Sequence, residues 1–534
     1  MTSEMVEEAD RAAARTRAFR LIQDIQAAVP TAAAELEVLA RLAAERGWSE
    51  TVRAGLFGRA VDAWFRREGN VDAAVAALIE RCEADEDAVM LAVALALRSD
   101  PGFGGGAAAP AGVSGEEDLA RAVVLLEQAE GAPLECITAH TACGIALAGR
   151  WLFELADEQY AAALAVGASE PPGSVDFLLA PVMFDRAELH LAWASLLRQL
   201  GEREAVVERW HTWRAAGVAA ASFALPEAWQ VELVAHGLLL AAIAGEDTGD
   251  EARRRLERLE GRGLAALRAE GHLQLAAALS DSGAGRPGAK DAAVRAARTI
   301  DPDVSPQAHD LALYLLAEME AADGREAGLR YGRRQLAEHW ASRLASLGAM
   351  RARLHAERLA AERDILSRHA RQDDLTGVGN RRALEQYLAD AERVGVDRVA
   401  LILLDVNDFK GVNDRHGHLA GDAVLVRIGQ TLERSIRPSD LAVRLGGDEF
   451  AVVLAHADVE TATERAADIL AQMDGQSFED VAPGLVIAMC AGVAAGDPTH
   501  ITELRAQADA ALYRAKAGEG RALLRSRVAR ASPA

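Results

Sequence analysis

The sequence predicts a multidomain chain with an all-α, solenoid-like N-terminal region, a long connecting helix and a C-terminal α+β domain. Three observations predict this order. From residue 10 to about 370, apolar residues recur at intervals of three and four, as amphipathic helices require. No Pro occurs between 326 and 371, so one long helix can run there. Near residue 372 the pattern changes to short apolar runs of the kind that form buried strands.

Composition excludes several classes of protein. The 534 residues are enough for two to four domains, and 50% of them are apolar, which excludes wholesale disorder. The net charge of −23 disfavours general binding to nucleic acid or anionic membranes. The first residues, MTSEMVEEADRAAARTRAF, lack the apolar core of a secretory signal, and no apolar run is long enough to span a membrane. We therefore expect a cytoplasmic protein.

The four cysteines are too scattered for a disulfide framework or a zinc site, and we expect small buried hydrophobes. They are Cys82, Cys136, Cys143 and Cys490.

Helix pairs in residues 1–325 and just beyond show a repeated spacing of small and large residues. Gly144, Ala156, Tyr160 and Ala163 fall at offsets 0, 12, 16 and 19, and this stretch resembles a tetratricopeptide repeat. Two weaker echoes are Leu315, Ala327 and Tyr331, and Trp193 with Ala205. The region is predicted to be a sensor or docking domain for an unknown protein partner or signal. An irregular helical bundle is the alternative.

Residues 326–371 are predicted to form a signalling helix that could pair two chains as a short coiled coil. Its apolar stripe does not keep a strict heptad, so a solvated linker with one face resting on its own domain is the alternative. The stripe consists of Leu336, Trp340, Leu344, Leu347, Met350, Leu354, Leu359 and Leu366.

The C-terminal pattern alternates strands with helices. The apolar run 398–406 predicts a buried strand, and 441–445 with 450–455 predict a hairpin around the turn Gly-Gly-Asp-Glu. A further strand is predicted at about 484–494. Helices are predicted at about 419–436, 459–474 and 501–517.

Acidic residues at a strand end and a hairpin tip can converge on a divalent metal ion. Asp405 ends the first strand, and Asp448 and Glu449 lie on the turn. Gly446 and Gly447 would let a nucleotide approach the backbone closely. A solvated hairpin tip is the alternative. Only three of the 58 basic residues are lysine (290, 410 and 516), which singles out positions that need a compact ammonium.

The wider context of this turn resembles the GGDEF family of diguanylate cyclases. RLGGDEF (444–450) matches the signature core, and DDLTGVGNRRAL (373–384), LLDVNDFKGVNDRHGHLAGD (403–422) and ADAALYRAKAGEGR (508–521) resemble the flanking blocks. The resemblance implies a palm-like, nucleotide-cyclase-like fold over 372–526, with 527–534 as a tail. It also implies condensation of two GTP into cyclic di-GMP and pyrophosphate, at a site shared between two such domains in a homodimer.

The resemblance also assigns roles to residues. Asp405, the Val406 carbonyl, Asp448 and Glu449 would bind Mg²⁺ (or Mn²⁺), two per active site, and Lys410, Asp448 and Glu449 would be catalytic. Lys410, Lys516 and Arg521 would contact phosphates, although the last motif is one residue longer than usual, which puts the role of Arg521 in doubt. The remaining substrate residues would be Asn413, His418, Asp422, Gly446 and Gly447, and Arg437 with Asp440 would form an inhibitory R-x-x-D site for the product.

Two other functions also fit the sequence. The domain could be a catalytically silent receptor for GTP or cyclic di-GMP, or the chain could be a tetratricopeptide-like scaffold that carries the cyclase domain as a passenger. Every metal, phosphate and guanine position is filled, which favours the active enzyme.

Overall fold

The computed structural model describes residues 3–27, 29–66, 70–100, 115–220, 227–259, 267–302, 305–321, 326–517 and 523–525. It divides into two compact units, Met1–Arg358 and Leu359–Ala534. No helix within these ranges is long and apolar enough to cross a membrane.

The first unit is built of α-helices, as predicted. Its alanine- and leucine-rich segments have high helix propensity, and polar side chains cap some helix starts, as where Asn70 accepts from the amide of Ala73 and Asp87 from that of Met90. The helices are α1 Ser3–Gln26, α2 Ala32–Glu45, α3 Ser49–Arg66, α4 Val71–Ala84, α5 Ala88–Ser99, α6 Gly115–Gln128, α7 Pro133–Ala148, α8 Phe153–Ala168, α9 Asp176–Leu200, α10 Arg203–Ala220, α11 Glu227–Ile243, α12 Gly249–Leu259, α13 Leu267–Gly283, α14 Ala289–Thr299 and α15 Pro306–Ala321.

Helices α7 and α8 pack in the way that the small-and-large spacing predicts. The ring of Tyr160 lies against Gly144 so closely that a Cβ there would come within 2.6 Å of it. Tyr160 is fully buried, as are Ala156 and Ala163. This nesting is consistent with a tetratricopeptide-like pair.

The prediction of a second closely packed helix pair at Leu315, Ala327 and Tyr331 was wrong. Leu315 is buried, but Tyr331 is 67% exposed and therefore fills no such space. The side chain of Ala327 lies outside the described residues. In the third pair Trp193 is buried, and it stacks on Phe153 of α8 at a ring-centroid distance of 5.7 Å.

The predicted long helix is α16, Glu326–His369. The middle of its apolar stripe packs within the first unit, since Leu347, Met350 and Leu354 are buried there. Towards its end the stripe is uncovered, with Leu359 at 52% and Leu366 at 68% exposure. The alternative in which one face rests on its own domain therefore describes the middle of the helix.

The second unit is an α+β domain around one sheet. The strands are β1 Val399–Val406, β2 Leu441–Gly446, β3 Glu449–Ala455, β4 Met489–Gly496 and β5 Leu523–Arg525. Their order in the sheet is β2-β3-β1-β4-β5, with β5 parallel to β4 and the other neighbouring pairs antiparallel. The helices are α17 Arg381–Val394, α18 Phe409–His416, α19 His418–Arg434, α20 Val459–Asp474 and α21 Ile501–Ala517.

Strand β1 is buried on both faces, because alternate side chains enter two different cores. Ile402 and Leu404 join the core that α19 and α20 cover. Leu401 and Leu403 join the core that α17 and α21 cover. Asp405 continues this second row, so its side chain emerges on the α21 face of the sheet.

The predicted start of the last long strand was wrong. Strand β4 begins at Met489 rather than at 484, and Gly484 adopts a left-handed φ of +72°. Leu485 and Ile487 are buried without being in a strand, so their apolar character reflects core packing rather than sheet pairing.

The predicted cysteine environments are confirmed for three positions. Cys82, Cys143 and Cys490 are buried free thiols, and Cys136 is half-buried.

Candidate active site

The sheet brings the predicted acids of the strand end and the hairpin together. In the antiparallel pairing of β1 with β3, Asp405 lies directly opposite Glu449. Residues paired in this way lie on the same face of the sheet, with Cβ atoms about 5 Å apart. Asp405 is 7% exposed, whereas Glu449 is exposed and Asp448 is half-buried. A carboxylate pair therefore opens to solvent at this edge.

The turn that carries Asp448 depends on its glycines. Gly446 has φ +149° and Gly447 has φ +58°, which are backbone conformations that other residues rarely adopt. A Cβ at either position would meet nothing within 4 Å, so the space above the turn is open. The pairing of β2 with β3 also shifts between Arg444 and Gly446. These features leave the backbone of the turn accessible.

Arg444 fastens the turn to the start of the domain. Its Nε donates to the carbonyl of Gly447 at 2.9 Å, and its Nη1 donates to Asp373 Oδ1 at 3.0 Å. The same oxygen of Asp373 accepts from the amide and hydroxyl of Thr376 at 3.0 and 2.7 Å. Burial opposes ionisation of Asp373, but these hydrogen bonds outweigh it, so the pKa of Asp373 lies below its usual value.

These contacts give Arg444 a supporting role at the turn, and Asn380 caps α17 by accepting from the amides of Arg382 and Ala383. Sequence reasoning missed Asp373, although this residue opens the block 373–384. The signal that could have found it is its position three residues before Thr376, the spacing of an Asp that accepts from a backbone amide.

The structure places a lysine on the buried acid. Lys516, in the last turn of α21, brings Nζ to 2.6 Å from Asp405 Oδ1. Its side chain is 42% exposed and that of Asp405 is 9% exposed. Sequence reasoning expected Lys516 at phosphates and did not predict this ion pair. The pair does show that the carboxylate accepts a cation in this position.

The predicted metal ligands are not assembled into a closed site. Among the residues that the structure describes, no group of three or more His, Cys, Asp or Glu side chains is placed to hold a metal ion. The candidate ligands are the paired carboxylates Asp405 and Glu449, the neighbouring Asp448 and the Val406 carbonyl, all hard oxygen donors of the kind that Mg²⁺ prefers. The chemistry of these oxygen donors fits Mg²⁺. In this structure the ammonium of Lys516 lies beside Asp405.

The predicted substrate residues Asn413, His418 and Asp422 lie on two adjacent helices. Asn413 on α18 lies against Gly421 on α19, where a Cβ would come within 2.0 Å of Asn413 Oδ1. Gly421 is therefore required for this close approach, and Asp422 is the next residue of α19. Asp422, His418 and Lys410 are all exposed. These three polar side chains are therefore accessible from solvent. His418 is the first residue of α19.

Arg437 and Asp440 lie at the other end of the hairpin. The amides of Arg437 and Ala455 donate to the two carboxylate oxygens of Asp440, at 3.1 and 3.2 Å respectively. Asp440 thus shapes the connection into β2 and ties it to the end of β3. The side chain of Arg437 is exposed.

A cavity of about 330 Å³ adjoins Glu449. It lies between β3 and α21, and its lining includes Arg505 and Asp509 of that helix. Sequence reasoning did not single out Arg505, which lies three residues before the final motif. Arg521 lies outside the described residues.

The family model for the diguanylate cyclase GGDEF domain matches residues 370–522. Residues 370–522 are a GGDEF domain. Its sequence is similar to that of diguanylate cyclase TpbB from Pseudomonas aeruginosa, with 41% identity over 124 residues that make up 23% of this chain and 27% of that protein. It is also similar to diguanylate cyclase DgcP from the same species, with 34% identity over 224 residues, 39% of this chain and 33% of that protein.

Among solved structures, one similar chain is the GGDEF domain of DgcB from Caulobacter crescentus in complex with c-di-GMP. The identity is 29%, the match covers 29% of this chain and 94% of that chain, and the TM-score is 0.27. The match to an uncharacterised signalling protein of Caulobacter vibrioides covers 20% of its length at 40% identity. The chain thus spans well under two thirds of these curated relatives.

Proposed function

We propose that this protein is a diguanylate cyclase that joins two GTP molecules into cyclic di-GMP and releases pyrophosphate. The observation that carries the proposal is the register that sets Asp405 opposite Glu449 beside an open glycine turn. The named relatives of the GGDEF domain support the same reaction. In each half-reaction the 3′-hydroxyl of one GTP attacks the α-phosphate of the other, and pyrophosphate leaves.

Asp405, Asp448, Glu449 and the Val406 carbonyl would hold Mg²⁺ or Mn²⁺, two ions per active site. When bound there, the ions would neutralise the triphosphate and lower the pKa of the attacking hydroxyl. The ammonium of Lys516 pairs with one oxygen of Asp405, and a metal ion held by Asp405 would compete with it. The released ammonium would then be free to contact phosphate as a point charge, together with Lys410.

Asn413 and Asp422 would select guanine. A carboxylate can accept from both N1–H and N2–H₂ of guanine, and adenine offers no such pair of donors. Their placement beside Gly421 supports a shared role, and His418 would border the same pocket. Gly446 and Gly447 would allow the phosphates close to the backbone of the turn.

One domain would hold one GTP, so a productive site would require two GGDEF domains in a homodimer. We assign residues 1–325 to a cytoplasmic sensor or docking region, 326–371 to a signalling helix, 372–526 to the cyclase domain and 527–534 to a tail. The uncovered stripe residues Leu359 and Leu366 are available for pairing with a second copy. A protein partner or signal at the helical region would act through this pairing.

We expect the purified full-length chain to convert GTP into cyclic di-GMP in Mg²⁺, and EDTA to abolish the reaction. The rate per chain should rise with protein concentration if two chains form the site. Chromatographic separation of nucleotides measures both results. Absence of product after removal of any bound nucleotide would contradict the proposal and favour a silent receptor.

Product inhibition is expected to act through Arg437. Because Asp440 also holds the turn together, replacing Arg437 is the cleaner test of this site. We expect Arg437→Ala to raise the cyclic di-GMP concentration for half-inhibition by about tenfold or more, since an Arg fork on phosphate is lost, and to leave the uninhibited rate unchanged. Arg434→Ala, an exposed arginine at the end of α19, is the control and should behave like the native protein. An unaltered inhibition curve in Arg437→Ala would rule out this site.

A further inference from the structure

The helical unit contains a cavity that the cyclase reaction does not use. Its volume is about 330 Å³, at the lower end of the range for small-molecule sites. Side chains from α7, α8, α9, α13 and α15 line it. One wall is apolar and aromatic, with Ile145, Phe153 and Tyr160. This wall suits the hydrocarbon part of a small organic molecule.

The charged groups of the cavity are mostly acidic. Asp100, Asp185 and Glu188 line it, and Arg268 is the basic residue among the lining side chains. Arg268 already has partners within the protein. It is ion-paired with Glu188, and its Nη1 lies 3.6 Å from a carboxylate oxygen of Glu232. Its Nε donates to the hydroxyl of Ser305 at 3.4 Å. Among the described residues of this lining, an anionic ligand would therefore find no free cation.

Asp185 is the lining carboxyl that lacks a hydrogen-bond or ion-pair partner among the described residues. It lies one turn before Glu188 on α9, so both carboxyls face the same way. Among the described residues Asp185 has no hydrogen-bond or ion-pair partner. Burial raises the pKa of Asp185 to about 8, with a further rise from Glu188 that Arg268 partly opposes. Asp185 is half-buried in the cavity wall, and a carboxyl withdrawn from much of the solvent without a partner is costly unless something else satisfies it.

We propose that this cavity binds a small organic cation, an amine whose ammonium group pairs with Asp185 and whose apolar body lies against Phe153 and Tyr160. A bare metal ion fits less well, because the described side chains around the cavity include no group able to hold one and half the wall is apolar. The site lies within the helical unit, so it gives that unit a chemical input of its own.

The test uses the full-length chain and 2-phenylethylamine hydrochloride as the probe. Its neutral match is 2-phenylethanol, with sodium chloride added to equalise ionic strength. We expect the amine to raise the melting temperature saturably and the alcohol to have no such effect. Equal shifts with both compounds, or none with the amine, would overturn the proposal.

Variants then locate the binding site. Asp185→Asn keeps the shape of the side chain and removes its charge. It should raise the dissociation constant for the amine, measured by calorimetry, by at least about tenfold. Glu158→Gln, an exposed carboxyl on α8 outside the lining, should leave it within about twofold. Ala192→Leu fills space in the cavity without changing charge and should also abolish binding, which gives a second answer if Asp185→Asn does not fold. Native affinity in either cavity variant would contradict the assignment.

Discussion

Glu449→Gln is expected to lower kcat for cyclic di-GMP formation by roughly 10²–10⁴-fold, the usual loss when a catalytic carboxylate is removed. The substitution keeps the shape of the side chain and removes the charge that faces Asp405 across the β1–β3 pair. Because Glu449 is exposed, the fold should tolerate the change, and the melting temperature should stay close to that of the native protein. The measurement is cyclic di-GMP formation against Mg²⁺ concentration.

The same titration separates two roles for Glu449. If the carboxylate holds metal, the Mg²⁺ concentration for half-maximal rate will rise in the variant. If it takes the proton of the 3′-hydroxyl, kcat will fall while that midpoint stays fixed. Glu464→Gln, an exposed acid on α20 of the same domain, is the matched control and should retain full activity. A native kcat in Glu449→Gln would show that Glu449 takes no part in the reaction.

The strands that carry the site could be predicted because their residue patterns are typical of buried strands and of a hairpin. The run at 398–406 is continuously apolar, which suits a strand buried on both faces, and β1 spans Val399–Val406. The hairpin was marked by its glycine turn. Strand β4 was harder, because Leu485 and Ile487 fill the core from an irregular segment and are as apolar as strand residues.

The contacts that complete the site depend on long-range packing, which a sequence pattern does not contain. Lys516 is 111 positions from Asp405 and reaches it only because α21 covers the face of β1 on which Asp405 lies. Tyr331 has the correct offset from Leu315 and is nevertheless exposed. Spacing along a helix fixes which residues share a face, and the neighbouring helices decide whether that face is covered.

The cavity in the helical unit shows the same limit. Asp185 and Glu188 share a helix face by their spacing, but their charges look ordinary in a chain with 81 acidic residues. Arg268, which pairs with Glu188 and leaves Asp185 alone, is 80 residues away from Glu188. Only the packed structure separates the satisfied carboxyl from the unsatisfied one.

Gly492→Ala is expected to destabilise the GGDEF domain by about 3 kcal/mol or more and to reduce its activity. Gly492 lies in β4 opposite Leu403, where α21 crosses the strand. A Cβ at this position would come within 2.2 Å of the Ala508 carbonyl oxygen and 2.3 Å of the Leu512 amide. These are backbone atoms of α21, so no side chain can rotate away, and the whole helix must move.

Displacement of α21 would also move Lys516, which lies one turn beyond Leu512, away from Asp405. The variant should therefore unfold at lower denaturant concentration and make cyclic di-GMP more slowly per folded molecule. Gly475→Ala is the matched control, because its Cβ would meet neighbours only at 3.6 and 3.7 Å and its φ of −80° is ordinary. It should change stability by less than about 0.5 kcal/mol. Native stability in Gly492→Ala would mean that α21 does not pack this closely on the sheet.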